Sequence, residues 1–196
     1  VSSTAPVLPA GSFDEGDELR CSAQAFDGTD TGNTIGIVRT VAASIPQIDT
    51  VTITPVPAYK DSELLCTWDG FYDADGDPDL SSVVWTVNGV VASTTADLLD
   101  AFESGDAVKC EVTPYDGEHF GDSVSSTIYI QNAPPVVHGA SMTPNPAYDG
   151  DTLTCVPGYT SDVDGTSSFS YDFRWSVAGV DVSGVTTSTL PSGHFV

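Results

Sequence analysis

Alternating carboxylates mark one stretch of this 196-residue chain, Asp73-Ala74-Asp75-Gly76-Asp77-Pro78-Asp79. Residues of this type at this spacing suit a hard divalent cation, since calcium collects roughly six to eight oxygen ligands. The stretch is not an EF-hand loop, which needs Gly where Pro78 stands and a bidentate Glu where Val84 stands. Asp73, Asp75, Asp77 and Asp79 therefore form an incomplete ligand set, and other loops must supply the rest. A shorter copy, Asp162-Val163-Asp164-Gly165, lies 89 residues further on. The competing reading is a solvated acidic turn, for which Asp and Gly are chosen by backbone geometry alone.

Other chemistry finds less support. His119, His138 and His194 are scattered, and none sits beside a cysteine or another histidine at metal-ligand spacing. No nucleophile elbow of the form G-x-S-x-G occurs. The chain is read as a non-enzyme. Its 28 acidic residues against 5 basic ones, net −23, exclude nucleic acid and anionic membrane surfaces as partners. They fit a cationic partner, a metal ion, or a solubilising surface. No apolar run is long enough to span a bilayer, so no direct membrane insertion is expected. The chain starts at Val1 without Met and is read as a processed or excerpted piece of something longer.

The elements that must position these acids are short strands. Leu64, Cys66 and Trp68 share one parity; so do Val83, Trp85 and Val87, and so do Val108, Cys110 and Val112. Strand side chains alternate with period two, so both cysteines and Trp85 point into one core. Cys on an early strand, Trp on the next and Cys on a late one is the spacing of an immunoglobulin-type sandwich. Seven strands are expected, at about 48–54, 62–69, 82–88, 90–93, 95–99, 106–114 and 123–131. Asn88-Gly89 between apolar runs signals a two-residue hairpin. Tyr171, Phe173, Trp175 and Val177 alternate against polar neighbours and predict a further strand.

The pattern repeats. Thr54-Pro55-Val56-Pro57-Ala58-Tyr59 returns as Thr143-Pro144-Asn145-Pro146-Ala147-Tyr148, and Cys66 as Cys155, both 89 residues later; Trp85 returns as Trp175, one residue further. Phe13, Gly16-Asp17, Cys21 and Phe26-Asp27-Gly28 match Phe102, Gly105-Asp106, Cys110 and Tyr115-Asp116-Gly117 at the same shift. Residues 1–44 are thus the back part of one repeat, 45–132 a complete repeat, and 133–196 the front part of the next. The fold class expected is all-β, with tandem antiparallel sandwiches of about 89 residues.

Taken in order, T-P-x-P-A-Y, L-x-C, D-x-D-G, W-x-V-x-G-V, G-D-x-V-x-C and Y-D-G resemble the tandem immunoglobulin-like and PKD-like repeats of bacterial or archaeal surface, adhesin and filament proteins. The resemblance covers essentially the whole chain. It departs from antibody-type domains, which carry Tyr two residues before the second Cys, where this chain has Val108 and Leu19. The resemblance implies an extracellular or cell-surface structural segment: a stalk, adhesin shaft or filament. Its partners would be neighbouring repeats of the same chain and identical chains in a filament. A glycan- or protein-binding module, and an accessory repeat of a secreted hydrolase, are the alternatives.

Cys66 and Cys110 are expected to form a disulfide across the sandwich. Cys21 and Cys155 are expected to be half-bridges to neighbouring repeat copies. In such a sandwich the acidic loop and the last hairpin lie at one end, so Asp116 and Glu118 should approach Asp73, Asp75, Asp77 and Asp79. The preceding repeat should bring Asp14, Glu15 and Asp17, and the linker Asp49. Asp162 and Asp164 should face Glu103 and Asp106. Calcium at these junctions would relieve carboxylate repulsion and stiffen the string of domains.

Overall fold

The computed structural model describes residues 6–194, so the ends of the expected segments 1–44 and 133–196 lie outside the described residues. Among the described residues every regular element is a β-strand. Two compact units are formed. One comprises Val1–Thr54, Leu64–Leu98 and Val108–Ile128; the other comprises Pro55–Glu63, Leu99–Ala107 and Tyr129–Val196.

The first unit opens with a hairpin of β1 (Glu18–Phe26) and β2 (Thr31–Thr40), in which Cys21 lies opposite Ile37 and Ala23 opposite Ile35. Two sheets follow. β3 (Thr50–Thr54), β4 (Leu64–Asp69) and β7 (Asp97–Leu98) form one, in the order β3-β4-β7. β5 (Ser82–Val87), β6 (Val90–Ser93), β8 (Ala107–Thr113) and β9 (Val124–Tyr129) form the other, in the order β6-β5-β8-β9. All seven expected strands are present, none trimmed by more than two residues at an end. Frayed ends of this size are usual where a strand runs out of partner.

Parity decides what faces inward. β8 alternates half-buried and buried along its length, with Val108, Cys110 and Val112 fully buried. Leu64 and Cys66 of β4 and Trp85 of β5 complete the core. The Cys66–Cys110 disulfide ties the two sheets, with Cα atoms 6.4 Å apart. Trp85 stands directly opposite Cys110 in the sheet, and its indole N–H donates to the Thr95 carbonyl at 3.0 Å. Burying roughly 200 Å² of indole at about 25 cal/mol per Å² contributes about 5 kcal/mol before entropy is counted. Two antiparallel sheets bridged this way make an immunoglobulin-like β-sandwich. Asn88 and Gly89 take φ of 50° and 82°, as the two-residue hairpin between β5 and β6 requires.

In the second unit β10 (Val136–Val137) pairs with β13 (Thr160–Ser161), and β11 (Ala140–Thr143), β12 (Leu153–Pro157) and β16 (Thr189–Leu190) form a three-stranded sheet. β14 (Ser176–Val177) pairs with β15 (Val180–Asp181). Leu153, Trp175 and Leu190 are buried together, with Cys155, Val182 and Val185 against them. The strand expected through Tyr171, Phe173, Trp175 and Val177 is cut to Ser176–Val177. The cause is pairing. β5 is held along six residue pairs by β8, whereas the corresponding 171–177 stretch has only β15 beside it among the described residues. Alternation marks which face is dry, but a strand also needs a ladder partner.

Candidate cation site and the linker carboxylates

The loop 73–79 is built by Asp73. One of its carboxylate oxygens accepts the amides of Asp75 and Asp77 at 2.9 and 3.3 Å; the other accepts the Ser44 hydroxyl at 2.7 Å. Asp73 is buried. The Ser44 hydrogen bond holds its pKa below the usual Asp value despite desolvation, and the loop amides add to the effect. Asp75 turns the other way and accepts the Ser44 backbone N–H at 2.7 Å. The linker residue Ser44 is therefore clamped by two carboxylates of the following loop.

Asp79 faces neither. It accepts the Trp68 indole N–H at 2.9 Å and the Ser81 amide at 2.9 Å. Desolvation works to raise its pKa, but the Ser81 and Trp68 hydrogen bonds win and lower it. Asp116 is buried and organises the last hairpin turn, accepting the amides of Glu118 and His119 at 2.7 and 2.6 Å. The His119 amide is the main cause of its lowered pKa. Asp49 lies along the linker with its amide bonded to the Asp69 carbonyl. Asp17 turns back to accept the Asp14 amide at 3.0 Å.

Three exposed carboxylates do converge. Oxygens of Glu15, Asp75 and Asp77 all lie within 4.8 Å of one another. Glu15 comes from the turn before β1, and the other two from the 73–79 loop. A shallow cavity beside them is lined by Phe13, Glu15, Val41, Asp75 and Asp77, among others. Desolvation raises the pKa of Asp77, with Asp73, Asp116, Asp75 and Glu118 all adding repulsion. Glu15 is raised the same way, by desolvation first and then by Glu118, Asp75 and Asp77. Such a group has the donor type for a hard cation: oxygen atoms, high negative charge and mutual separations that one ion can bridge. It supplies three of the oxygens calcium wants, leaving the remainder to water.

The second unit repeats the amide half of the clamp. The Ala133 amide donates to Asp164 at 2.6 Å, and the Asp164 amide to Asp162 at 2.8 Å. These match the Ser44–Asp75 bond and the Asp75–Asp73 bond at a shift of 89. The surroundings differ. Glu15 corresponds to Ser104 and Asp77 to Thr166, so two of the three converging acids are replaced by hydroxyl residues. Lys60 stands there instead, 2.6 Å from Glu103 and within electrostatic reach of Asp164. Its hydrogen bond to Glu103 raises its pKa. One oxygen of Asp164 is buried without a hydrogen-bond partner among the described residues.

Of the residues singled out from sequence, Asp75 and Asp77 share a site with Glu15, while Asp73, Asp79 and Asp116 are engaged in turns. Asp162 and Asp164 lie in the other unit, where Asp164 and Glu103 share the Lys60 charge. Cys21 is an exposed free thiol and Cys155 a half-buried one. Sequence reading passed over Ser44 and Lys60. The spacing offered one signal: Ser44 precedes Asp75 by 31 residues and Ala133 precedes Asp164 by the same interval.

No family model matches the chain, and no curated protein matches it. Among solved structures it is similar to the rat CD45 extracellular region, domains d3-d4, at 14% identity and a TM-score of 0.41, over 66% of this chain and 72% of that one.

Proposed function

We propose that this chain is a structural segment of a long extracellular repeat protein, a shaft or filament, whose sandwiches are set in series and stiffened by a divalent cation. It is assigned no catalytic role. The observation that carries this reading is the recurrence of the linker clamp. A carboxylate of the D-x-D-G loop holds the backbone amide of the linker residue at 2.7 Å in one unit and at 2.6 Å in the other. A device repeated at the period of the sequence serves the array rather than one domain. The Cys66–Cys110 bridge supports an oxidising, extracellular setting.

Calcium is the cation proposed for Glu15, Asp75 and Asp77. It would neutralise a cluster whose ionised form raises the free energy of the docked hairpin. Three exposed carboxylates suit the weak end of protein calcium sites, with a Kd of roughly 0.1–1 mM. Titration calorimetry and thermal melting with calcium, and with a chelator, test the proposal. Binding in that range is expected, with a rise in Tm of about 2–4 °C at saturating ion. The paired change Glu15→Gln and Asp77→Asn should remove the response and leave the Cys66–Cys110 bridge intact. No heat and no shift in Tm in the parent chain would overturn the cation mechanism.

A further inference from the structure

The chain carries 28 acids and only 5 bases, and three of those bases fall on one face of the repeat. In the complete sandwich that face is the outer side of the sheet β6-β5-β8-β9. Lys109 of β8 stands there, and Arg20 occupies the equivalent position 89 residues earlier. Arg174 precedes Trp175 as Val84, on the same face, precedes Trp85. Each base has an acid two residues away: Glu18 with Arg20, Glu111 with Lys109 and Asp172 with Arg174. On an extended chain that interval puts both charges on one side.

In the complete sandwich the pair is closed. Lys109 Nζ lies 2.8 Å from a Glu111 carboxylate oxygen, and both side chains are more than a third exposed. Thr86 and Val84 stand opposite them in the ladder, and Val91, 64% exposed, stands beyond Thr86. Lys109 and Glu111 are the only charged residues in β5, β6, β8 and β9. The other sheet differs: β4 and β7 expose Asp69 and Asp97, and β3, β4 and β7 contain no base. All four strands of the first sheet are present and paired, so its outer side is a surface of the finished repeat.

We infer that this face is the lateral contact between two copies of the repeat, packed sheet against sheet about a two-fold axis close to Lys109 and Glu111. A two-fold contact must be self-complementary. Here the axis sets Lys109 of each copy against Glu111 of the other, so four charges alternate, with Val84 and Val91 beside them. The β3-β4-β7 face would oppose only acids. The negative charge elsewhere on the molecule is screened over about 8 Å at physiological salt. Four strands about 4.8 Å apart and six residues of about 3.3 Å give roughly 400 Å² a side, about half a standard interface. One contact is therefore weak, and recurrence at the repeat period adds contacts along neighbouring shafts. The inference rests on the repeat-shaft reading and names its lateral partner.

The experiment uses the whole chain with Cys21 and Cys155 alkylated, so that no new disulfide forms, at about 0.15 M salt. Sedimentation equilibrium at rising concentration reads the association. A carbodiimide then joins touching amines and carboxylates in a mixture of ¹⁵N-labelled and unlabelled chain. Association above about 0.1 mM is expected, with a Lys109–Glu111 cross-link that carries both isotopes. Lys109→Glu and Glu111→Lys should each weaken association at least about tenfold, and the two together should restore it. The single changes move net charge in opposite directions, so a general charge effect would split them. Val91→Asp, at an exposed position, should weaken association as well, and a cooperative melt shows that each variant is folded. A monomer up to about 1 mM would overturn the inference, and dextran sulfate bound by that monomer through Lys109 would give the face to an acidic partner instead. Cross-links that never carry both isotopes would overturn it too, as would mixed-isotope links from Lys109 to Asp69 or Asp97, which pack unlike sheets. If association fails while the calcium response at Glu15, Asp75 and Asp77 holds, the shaft reading stands and shafts do not pair through this face.

Discussion

Individual carboxylates in this molecule do opposite jobs, and their titration separates them. Asp73 and Asp116 have pKa values lowered by hydrogen bonds from Ser44 and the amide of His119, respectively. Their contribution to stability is present above the ordinary Asp pKa and is lost as pH falls through the folded value. Glu15 and Asp77 are raised by desolvation and crowding. The folded state holds their protons more tightly, so stability falls as pH rises through their range and stays lowered at neutrality. Without calcium, Tm should therefore peak at acidic pH, within the ordinary carboxylate range, and decline on both sides. With saturating calcium the neutral side should rise and the peak move upward. Scanning calorimetry across pH, with calcium and with chelator, checks this; a flat neutral limb in both conditions would contradict it.

Sequence spacing made Asp75 and Asp77 visible but not their partner group. Alternate carboxylates in a loop announce charge, yet which oxygens turn inward is decided by backbone amides. Asp73 looks equal to Asp75 in sequence and is instead consumed by two amides and a hydroxyl. Ser44 was not legible: its hydroxyl reaches Asp73 only once the linker meets the loop, and its other bond comes from a backbone N–H, which any residue but proline offers. Ala133 does the same at the other linker. Ala178 shows the converse. It takes φ of 48° where the complete repeat places Asn88, a conformation that Asn tolerates better.

At the scale of elements, parity carried most of the information. Cys66, Trp85 and Cys110 came out on one face because period-two alternation survives any error in strand ends. Strand length was less secure, because it depends on pairing that a single stretch does not contain. One close approach explains how the β8–β9 hairpin and the linker stay together. Gly121 donates its amide to the Pro114 carbonyl, and a side chain there would collide with the backbone carbonyl of Pro46. Gly121→Ala should therefore destabilise the first unit by about 2 kcal/mol or more, as overpacking against backbone cannot relax by rotamer change. Urea unfolding followed by Trp fluorescence would show it. A change under about 0.5 kcal/mol would mean the linker can shift freely.

For the whole molecule the repeat is the organising fact. It reproduces a fold and also a set of individual bonds: Cys66 and Cys155 each donate their amide across to a strand seven-like carbonyl, of Ala96 and Ser188, at 2.8 Å. Where the copies diverge, the divergence is electrostatic. The converging acids Glu15 and Asp77 give way to Ser104 and Thr166, and Lys60 brings an internal positive charge. One unit is thus open to an ion from solution, and the other carries its own.

The Cys66–Cys110 bridge has a mechanical consequence. It spans a separation of 44 residues. A chain-entropy estimate makes it worth about 4 kcal/mol at rest. Under load it does something different: the loop it closes cannot pay out. An unravelling sandwich of this repeat would lengthen only by the chain outside the bridge, and about 150 Å of slack would stay locked, at roughly 3.5 Å per extended residue. Single-molecule pulling should record that difference as a longer unfolding step after reduction. Equal steps before and after would mean that the bridge lies outside the stretch that yields. A tether built this way gives ground in short increments when pulled, and keeps its end close to where it started.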